Sequence, residues 1–292
     1  MQSQFMFNPL KIQIHIWGGL GSQLYGLNCY FKLANLYENR KFNLVFHSSG
    51  ESRRTIEFNQ NKLNKCKIIF KDDFQSISKK SYLEKTTLKK IVIPIKQLAF
   101  KILIFTHVVV KIENEADLLK LKVWTTDVRG HYSYLTVDKK ELVKLKELGT
   151  QLPKDFFSEK SFIGVHLRLG DLLTIESKNE INPFRFRTVI KKIVESPRIK
   201  LPILVFSDTD LDSEIKLRQK YFDGFEIDFL NCETKEVLYW LSRSKVFLGT
   251  TSKISIWVAY FFSTNKGFDV YLPFELQPII EKNIATNSFK YY

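Results

Sequence analysis

His166, Arg168 and Asp171 stand at and just beyond the end of an apolar run, in the segment Val165-His-Leu-Arg-Leu-Gly-Asp171. Of the three, Arg168 is best suited to bind a diphosphate, because a guanidinium donates two parallel hydrogen bonds and stays charged at any relevant pH. His166 lies two positions earlier, which in a strand places both side chains on one face. A core histidine next to an Arg168–Asp171 ion pair would produce the same pattern. The segment therefore indicates either an anion site or a structural polar cluster.

Three hydroxyl residues, Thr250, Thr251 and Ser252, stand directly before an apolar run over residues 254–261. If that run is a helix, its N-terminus presents hydroxyls, backbone N–H groups and the positive end of the helix dipole to an anion. Ordinary N-capping would require only one of the three hydroxyls. The surplus favours a bound phosphate.

A glycine-rich segment, Gly18-Gly-Leu-Gly21, follows another apolar run. Glycines permit a tight turn and let a ligand approach the backbone, and a helix after the turn offers N–H groups to an anion. As a dinucleotide fingerprint the segment is incomplete, because Leu24 stands where a third glycine is expected. A turn that merely packs a strand against a helix explains the same glycines.

Two aspartates, Asp208 and Asp210, end the run Ile203-Leu-Val-Phe-Ser-Asp-Thr-Asp210. A carboxylate at this point could accept hydrogen bonds from a nucleobase or a ribose. Two spaced aspartates are also a pattern for a divalent cation, since hard cations prefer carboxylate oxygens. N-capping of the next helix is a third explanation.

Strand-like runs precede all four segments and alternate with helix-like stretches. The predicted strands cover residues 11–17, 41–47, 162–167, 202–206, 225–229, 246–249 and 268–272, and residues 50–90 stay unassigned. One helix is predicted to follow the glycine turn, a second to run to Val194 with Asn182 as its N-cap and Pro183 in its first turn, and a third to be capped by Thr234. The pattern predicts an α/β fold with mainly parallel sheets, in which ligands bind beyond the carboxyl ends of the strands.

Length and composition fit a folded chain of two domains. The protein has 292 residues, of which 44% are hydrophobic and 14% aromatic, so an intrinsically disordered chain is excluded. The periodic pattern stops at residues 149–153, which predicts an N-terminal domain over residues 1–152 and a C-terminal domain over 153–292. The three cysteines are far apart and odd in number, which argues against a disulfide framework and for a reducing compartment.

The net charge of +14 points to an anionic partner. Lysines alternate with apolar residues over residues 79–101, a pattern typical of a segment lying on an anionic lipid surface, or of a partly buried helix whose lysines extend to water. Residues 91–110 are interrupted by Pro94 and two lysines, so no transmembrane helix is expected there. The N-terminus lacks a secretory signal pattern, which predicts a cytoplasmic protein, peripheral on the inner face of the membrane if the lipid interpretation holds.

Several of these segments resemble, in the same order, the motifs of the alpha-1,2-fucosyltransferases. Trp17-Gly-Gly-Leu-Gly-Ser-Gln-Leu-Tyr25 is similar to the family's GGLGNQLF opening, His166-Leu-Arg-Leu-Gly-Asp171 to its HxRRGD motif, Phe206-Ser-Asp-Thr-Asp210 to its FSDD stretch, Thr251-Ser-Lys-Ile-Ser-Ile-Trp-Val-Ala-Tyr260 to NSTFSWWAAY, and Gly130-His-Tyr-Ser-Tyr134 to GYWQS. Each match is short, and together they run from residue 17 to about residue 261.

The resemblance implies a GT-B-like architecture of two Rossmann-like domains with a cleft between them. It implies that the C-terminal domain binds a GDP-sugar donor and that the N-terminal domain faces an oligosaccharide or lipid-linked glycan acceptor. The implied reaction is an inverting, metal-independent transfer, without a cofactor, of a 6-deoxyhexose such as L-fucose or colitose. The hydroxyl that receives it would belong to a galactose of a surface glycan such as an O-antigen.

The resemblance also assigns roles to individual residues. Arg168 would bind the diphosphate, with Asp171 and His166 shaping the same pocket, and Asp208 would lie near the nucleoside. The other donor-side residues would be Thr251, Ser252 and Ser255, and those lining the cleft on the acceptor side would be Gly19, Gly21, Ser22, Gln23 and His131. Asp127, His131 and His15 are candidates for the base that removes the acceptor proton, and the sequence does not choose among them.

Departures from the family's motifs concern the phosphate site above all. Leu169 stands in place of the family's second arginine, Ser22 in place of its asparagine, Lys253 in place of a threonine and Ile256 in place of a tryptophan. Loss of a cation beside a diphosphate should weaken stabilisation of the leaving group. Lys253, at the start of the predicted phosphate-facing helix, is the proposed substitute. A pocket altered for a related donor such as GDP-colitose, or a loss of activity, would explain the same change.

Two other functions remain open at this point. A catalytically silent protein of this family would bind a glycan without transferring a sugar. A basic α/β module could bind nucleic acid, although the sequence contains no recognised nucleic-acid motif, so no nucleic-acid partner is expected. The sequence does not specify an oligomeric state.

Overall fold

The computed structural model describes residues 11–49, 53–63, 66–73, 87–151, 161–167, 181–196, 200–207, 211–263, 268–283 and 289–292, with only the backbone described for 87–95 and 211–213. The chain divides into two compact units, Met1–Val137 and Asp138–Tyr292. Each unit contains one parallel sheet and helices that alternate with its strands. The predicted α/β fold class with parallel sheets is therefore confirmed.

The first unit is built on a five-stranded sheet in the order β3-β2-β1-β5-β4. Its strands are β1 (Ile12–Ile16), β2 (Phe42–His47), β3 (Lys67–Lys71), β4 (Val109–Ile112) and β5 (Asp127–Gly130), all paired in parallel. Its helices are α1 (Leu20–Leu36) and α2 (Thr87–Phe105), with 3₁₀ turns at Gln60–Lys62, Glu115–Lys120 and Tyr132–Tyr134. The central strand β1 has β2 on one side and β5 on the other, so the strand order reverses there.

The second unit is built on a six-stranded sheet in the order β11-β10-β9-β6-β7-β8. Its strands are β6 (Ile163–Leu167), β7 (Ile203–Ser207), β8 (Asp228–Leu230), β9 (Val246–Leu248), β10 (Asp269–Leu272) and β11 (Phe289–Tyr291), again paired in parallel. The helices are α3 (Lys139–Gly149), α4 (Pro183–Val194), α5 (Leu211–Tyr221), α6 (Thr234–Leu241), α7 (Lys253–Phe262) and α8 (Gln277–Asn283), with a 3₁₀ turn at Phe274–Leu276. Strand order reverses at β6, which lies between β9 and β7.

Local sequence signals place most of these elements correctly. Asn182 caps α4 as predicted, because its side-chain oxygen accepts hydrogen bonds from the backbone N–H groups of Phe184 and Arg185. The predicted cap of α6 is off by one residue. Glu233 is the N-cap there, and its backbone N–H is bonded in return by the carboxylate of Glu236. Glu233 and Glu236 thus form a capping box, in which the side chain of each residue bonds the backbone N–H of the other.

Two features of the chain differ from the sequence-based expectation. Strand β3 lies within the segment that the sequence left unassigned, because its lysine-flanked pattern belongs to a half-exposed strand at the sheet edge. Helix α3 precedes the boundary predicted at residue 152, yet it belongs to the second unit. It packs on α6 and α7 and buries Leu142, Leu145 and Leu148, which accounts for the earlier division.

Residues 87–101 of the lysine-rich segment belong to helix α2. In the described part of the chain, no helix combines the length and the apolar character needed to cross a bilayer.

Candidate functional site

A polar cluster lies where the strand order of the second sheet reverses. His166 is the fourth residue of β6, and Thr250, Thr251 and Ser252 connect the neighbouring strand β9 to helix α7. Strands β6 and β9 pair in parallel, with Val165 opposite Leu248, so their carboxyl ends lie side by side. In open α/β sheets, ligands bind beyond the carboxyl ends of the strands at such a reversal point. The structure therefore brings together two of the segments that the sequence singled out.

Hydrogen bonds join this cluster across the two segments. Nδ1 of His166 lies 3.0 Å from Oγ of Ser255 and 3.2 Å from Oγ of Ser252. The Ser255 hydroxyl oxygen also accepts hydrogen bonds from the Thr250 backbone N–H (3.0 Å) and the Ser252 hydroxyl (3.2 Å). With two bonds accepted, Ser255 has its own proton left to donate to Nδ1. A neutral His166 then carries its proton on Nε2, where it is a hydrogen-bond donor.

Ser252 is the N-cap of α7, because its Oγ accepts a hydrogen bond of 3.0 Å from the Ser255 backbone N–H. His166, Ser252 and Ser255 are all buried. Thr250 is buried as well, and its hydroxyl oxygen has no hydrogen-bond partner among the described residues. A buried hydroxyl left without a partner costs about 1–3 kcal/mol, a cost that a bound ligand would remove. The Ser252 hydroxyl thus caps the helix, whereas the Thr250 hydroxyl has no described role in the fold.

Helix α7 holds this end of the site rigidly. Every residue from Ile254 to Phe262 is buried, including the fully enclosed rings of Trp257 and Tyr260. The helix contacts α3, α6, α8 and strand β10. Its first turn contains no acidic residue that would neutralise the positive end of the dipole. The arrangement provides a fixed, partly positive helix terminus lined by hydroxyls.

Three of the predicted donor-site residues, Arg168, Asp171 and Asp208, lie outside the described residues. The residues directly before two of them are described. Leu167 ends β6 directly before Arg168, and Ser207 ends β7 directly before Asp208. Leu167 and Ser207 pair in register. Of the remaining predicted donor residues, His166, Ser252 and Ser255 belong to one hydrogen-bonded cluster, and Thr251 is half-buried beside it.

For the glycine turn of the first unit the sequence left a ligand site and a packing turn open, and the structure places a carboxylate of the chain itself at the N-terminus of α1. The Leu20 backbone N–H donates a hydrogen bond of 3.0 Å to the Glu57 carboxylate. Gly19 is the N-cap and has no side chain to cap the helix, and a Cβ at this position would lie 3.3 Å from Oε1 of Glu57. The protein thus supplies its own anion at this helix terminus.

The other predicted acceptor-side residues have varied surroundings. The Gln23 amide is buried and bonds to backbone atoms only: it donates to the carbonyls of Gly18 and Thr55 and accepts from the Glu57 N–H. It therefore fastens residues 55–57 to the glycine turn. Gly21 is buried and Ser22 half-buried in the first turn of α1, and His131 is exposed before the turn Tyr132–Tyr134.

A second polar cluster, in the first unit, was only partly predicted. Nε2 of His15 lies 2.7 Å from Oδ1 of Asp127, and Nδ1 of His15 lies 2.9 Å from Nε2 of His47. Nδ1 of His47 in turn contacts Oδ2 of Asp73. We refer to these four side chains as the His15–His47 chain. The sequence offered His15 and Asp127 separately as base candidates and missed His47 and Asp73, although a histidine near the carboxyl end of each of two predicted strands was the available signal.

The sheet positions the His15–His47 chain on β1 and its neighbours. His15 and His47 lie at the carboxyl ends of β1 and β2, Asp73 follows β3 by two residues, and Asp127 begins β5. The Trp17 ring stacks on the His47 ring, with centroids 4.3 Å apart and an angle of 10° between the planes. No group of three or more His, Cys, Asp or Glu side chains within the described ranges is arranged to hold a metal ion.

The pKa values in this cluster shift in consistent directions. The hydrogen bond from His15 lowers the pKa of Asp127, an effect that outweighs burial. Burial tends to raise the pKa of Asp73, but the contact with His47 and hydrogen bonds from Ser49 together lower it. Burial lowers the pKa of His47 and outweighs the opposing effect of Asp73. Both carboxyl groups are therefore ionised near neutral pH, and His47 loses its extra proton more easily than an ordinary histidine.

Comparison with known proteins yields distant structural similarity only. No protein-family model matches the sequence, and no curated protein matches it either. The E. coli heptosyltransferase WaaC with ADP-2-deoxy-2-fluoro heptose aligns with 97% of this chain and 93% of its own, at 11% identity and a TM-score of 0.43. E. coli ADP-heptose LPS heptosyltransferase II aligns with 97% of this chain and 90% of its own, at 9% identity and a TM-score of 0.47.

POFUT1 in complex with GDP-fucose aligns with 90% of this chain and 97% of its own, at 11% identity and a TM-score of 0.43. Similarity at this level says nothing of function, so what this chain does has to be argued from its own residues.

Proposed function

We propose that the protein is an inverting glycosyltransferase of GT-B type that transfers a 6-deoxyhexose, L-fucose or a related sugar, from its GDP-sugar to a hydroxyl of a surface-glycan acceptor. The observation that carries the proposal is the His166–Ser252–Ser255 cluster. It joins the end of β6 to the N-terminus of a buried helix at the reversal point of the second sheet. The resemblance of the surrounding segments to alpha-1,2-fucosyltransferase motifs supports the choice of donor.

In the proposed reaction, negative charge grows on the diphosphate as the acceptor hydroxyl attacks the anomeric carbon. The N-terminus of α7, the hydroxyls of Thr250 and Thr251 and the Arg168 guanidinium would stabilise that charge. Groups that are already oriented do this without reorganising water, which is why the rigidity of α7 matters. The proposal assigns no step to a metal ion or a cofactor.

Thr250 offers a test that separates a ligand role from a structural one. Thr250→Val removes the partnerless buried hydroxyl and keeps the shape of the side chain. The free protein is expected to be as stable as the parent or more stable, because a buried unsatisfied group is lost. Affinity for GDP is expected to fall about tenfold or more, because a hydrogen bond to a charged group contributes roughly 1.5–3 kcal/mol.

Thermal unfolding with and without GDP measures both quantities. Thr188→Val on α4 is the matched control, since its hydroxyl bonds only to the Phe184 carbonyl of its own helix. The proposal fails if GDP does not raise the melting temperature of the parent protein, or if single-stranded oligonucleotide raises it equally at moderate salt. GDP release from GDP-fucose, GDP-colitose and GDP-mannose, with and without simple galactosides, then identifies the donor. Binding without release from any of them would favour a silent glycan-binding protein.

We also propose that the enzyme rests on an anionic membrane surface through helix α2. Phe100 of this helix lies against the first unit, with the Arg129 guanidinium 5.4 Å from its ring centroid. The opposite face carries Leu98, Ile102 and Phe105, which are 61%, 54% and 85% exposed. This spacing puts three apolar side chains on one exposed stripe.

Further exposed groups adjoin the end of that stripe. Trp124 is exposed, and its indole N–H donates a hydrogen bond of 2.8 Å to the Thr106 carbonyl directly after α2. Lys96, Lys101 and Lys122 are also exposed. Apolar and indole side chains beside lysines match the interface of a bilayer with anionic headgroups.

Vesicle binding tests this surface. The double variant Ile102→Ser with Phe105→Ser is expected to lose about 100-fold or more of its affinity for phosphatidylglycerol vesicles, because burial of the two side chains together contributes roughly 3 kcal/mol or more. Phe184→Ser, which alters an exposed phenylalanine of α4 in the second unit, should bind as the parent does. Binding that is equal on phosphatidylcholine vesicles, or unchanged in the double variant, would contradict the proposal and direct attention to a protein partner.

A further inference from the structure

The His15–His47 chain is buried in its middle and accessible at its ends. Both histidines are buried, whereas the side chain of Asp127 is 21% exposed and that of Asp73 is 41% exposed. Three contacts link the four side chains in sequence: Asp127 to His15, His15 to His47, and His47 to Asp73. A proton that enters at either carboxylate can therefore be held on a buried imidazole, because a neighbouring side chain pairs with the resulting charge.

The number of protons in this chain decides how many of its contacts are hydrogen bonds. Each contact needs one proton, so three bonds need three protons. With both carboxyl groups ionised, two neutral imidazoles supply only two. One of the three contacts then has no proton between its two atoms, so that two lone pairs face each other. Addition of a third proton converts one imidazole into an imidazolium and completes all three bonds.

The surroundings favour the two-proton form at neutral pH. Burial lowers the pKa of His47 from its usual 6.5, and the nearby charge of Lys71 acts in the same direction. Asp127 is kept ionised by His15, by a hydrogen bond from the Thr126 hydroxyl and by the Arg129 guanidinium 3.9 Å away. His47 is thus neutral, and able to accept a proton, near pH 7.

The remaining charged groups close to this chain already have partners. Asp72 accepts a hydrogen bond from Ser48 and pairs with Arg53, and it contacts neither histidine in the recorded bonds. Tyr132 donates its hydroxyl proton to the carbonyls of His15 and Val128, and burial raises its pKa well above the usual value. Neither group therefore competes for the proton that the chain can take up.

We propose that the His15–His47 chain accepts the proton of a sugar hydroxyl bound in the first unit, with Asp73 as the point of entry; this rests on the function proposed above. Asp73 is the more exposed end and lies next to the His47 ring on which Trp17 stacks. The Trp17 side chain is 36% exposed and offers an apolar ring surface for a sugar beside that entry.

The O–H bond of the acceptor breaks while its oxygen bonds to the anomeric carbon, and the bond from that carbon to the GDP oxygen breaks with its electron pair staying on GDP. Nδ1 of His47 is free to accept this proton when the two ring protons lie on Nε2 of His15 and Nε2 of His47. The proton then passes through Asp73 to Nδ1 of His47, which becomes imidazolium. His15 and Asp127 act as positioning residues that stabilise this charge. Because burial lowers the pKa of His47, this imidazole is free to act as the base at neutral pH.

Asp73→Asn tests the point of entry against a matched neighbour. It is expected to lower the rate of transfer from GDP-fucose to a simple galactoside about 100-fold, the usual contribution of a general base. Asp72→Asn changes the adjacent carboxylate and should stay within about threefold of the parent. In the parent, activity should fall as the pH drops far enough to protonate the His15–His47 chain, because the chain then already holds its third proton. That acidic limb should be lost in Asp73→Asn and kept in Asp72→Asn.

Proton counting by NMR of the ring nitrogens adds a readout that needs no turnover. His15 and His47 together should hold three ring N–H protons at low pH and two at high pH, with signals assigned through His15→Asn and His47→Asn. A parent that neither binds GDP nor transfers sugar defeats the proposed function and this inference together. A parent that transfers, combined with full activity in Asp73→Asn or a constant proton count, overturns this inference alone.

Discussion

Arg168→Ala is expected to reduce the rate of sugar transfer about 100- to 1,000-fold without changing the melting temperature. The reason is the loss of a fixed positive charge where the diphosphate gains negative charge, and removal of one such donor costs roughly 2.7–4 kcal/mol of transition-state stabilisation. Leu169 stands where the alpha-1,2-fucosyltransferase motif that this segment resembles has a second arginine, so no arginine is left in the segment once Arg168 is removed. Initial rates of GDP release with each GDP-sugar measure the effect.

Arg185→Ala is the control for this prediction, because Arg185 is an exposed arginine on α4 of the same unit. It should retain the parent's rate. Lys253→Ala tests the proposed substitute for the second arginine and should weaken both donor binding and turnover. A normal rate in Arg168→Ala would contradict the assignment of the diphosphate to this strand end, whereas a collapse of the melting temperature would point to a structural ion pair.

Gly249→Ala is expected to destabilise the second unit and to weaken GDP binding together. Gly249 joins β9 to the loop before α7, and an added Cβ would lie 2.8 Å from Cδ2 of Leu272 and 2.9 Å from Cβ of Ser255. Such overpacking costs about 1–3 kcal/mol. At roughly 2–4 °C per kcal/mol for a domain of this size, the melting temperature should fall by several degrees.

Because one of the contacts is Ser255 itself, relief of the overlap must move the first turn of α7 and the hydroxyls that it carries. Gly224→Ala provides the comparison: Gly224 has a φ of +81°, and a Cβ there would meet no atom within 4 Å. The Gly224→Ala variant should lose some stability, because alanine is strained at this positive φ, and it should bind GDP normally. Equal GDP affinity in the parent and in Gly249→Ala would show that the helix terminus is not part of the binding site.

Local patterns in the sequence were sufficient for seven of the eleven described strands. Apolar alternation predicted β1, β2, β6, β7, β9 and β10 to within a residue or two, because these strands are largely buried. The prediction for β8 was displaced toward the N-terminus. The edge strand β3 is half-exposed and flanked by lysines, so its pattern resembles that of a loop. β4 and β11, which were also missed, likewise lie at sheet edges. The inner strand β5 was missed as well, because only one of its four residues is buried.

The second-unit cluster was predictable because its members carry local signals. Ser252 precedes an apolar helix and His166 closes a buried strand, and each position can be recognised without its partner. Their juxtaposition depends on β9 pairing with β6 rather than with β8, which no local pattern specifies. The sequence narrowed the candidates, and the strand order brought them together.

The contacts of the first unit could not be predicted from local sequence patterns. Glu57 reaches the N-terminus of α1 from 37 residues away, and Asp127 reaches His15 from 112 residues away. Both contacts exist only because the sheet order sets distant segments side by side.

The sequence by itself determined the α/β class, the capped helices and the residue types available for phosphate chemistry, because periodicity and capping act within one or two turns of the chain. Only the tertiary structure decided that Glu57 fills the helix terminus at the glycine turn and that two histidines and two aspartates form one proton-holding chain. Hydrogen bonds depend on distances of about 3 Å between atoms, and sheet pairing sets those distances between residues that are remote in sequence.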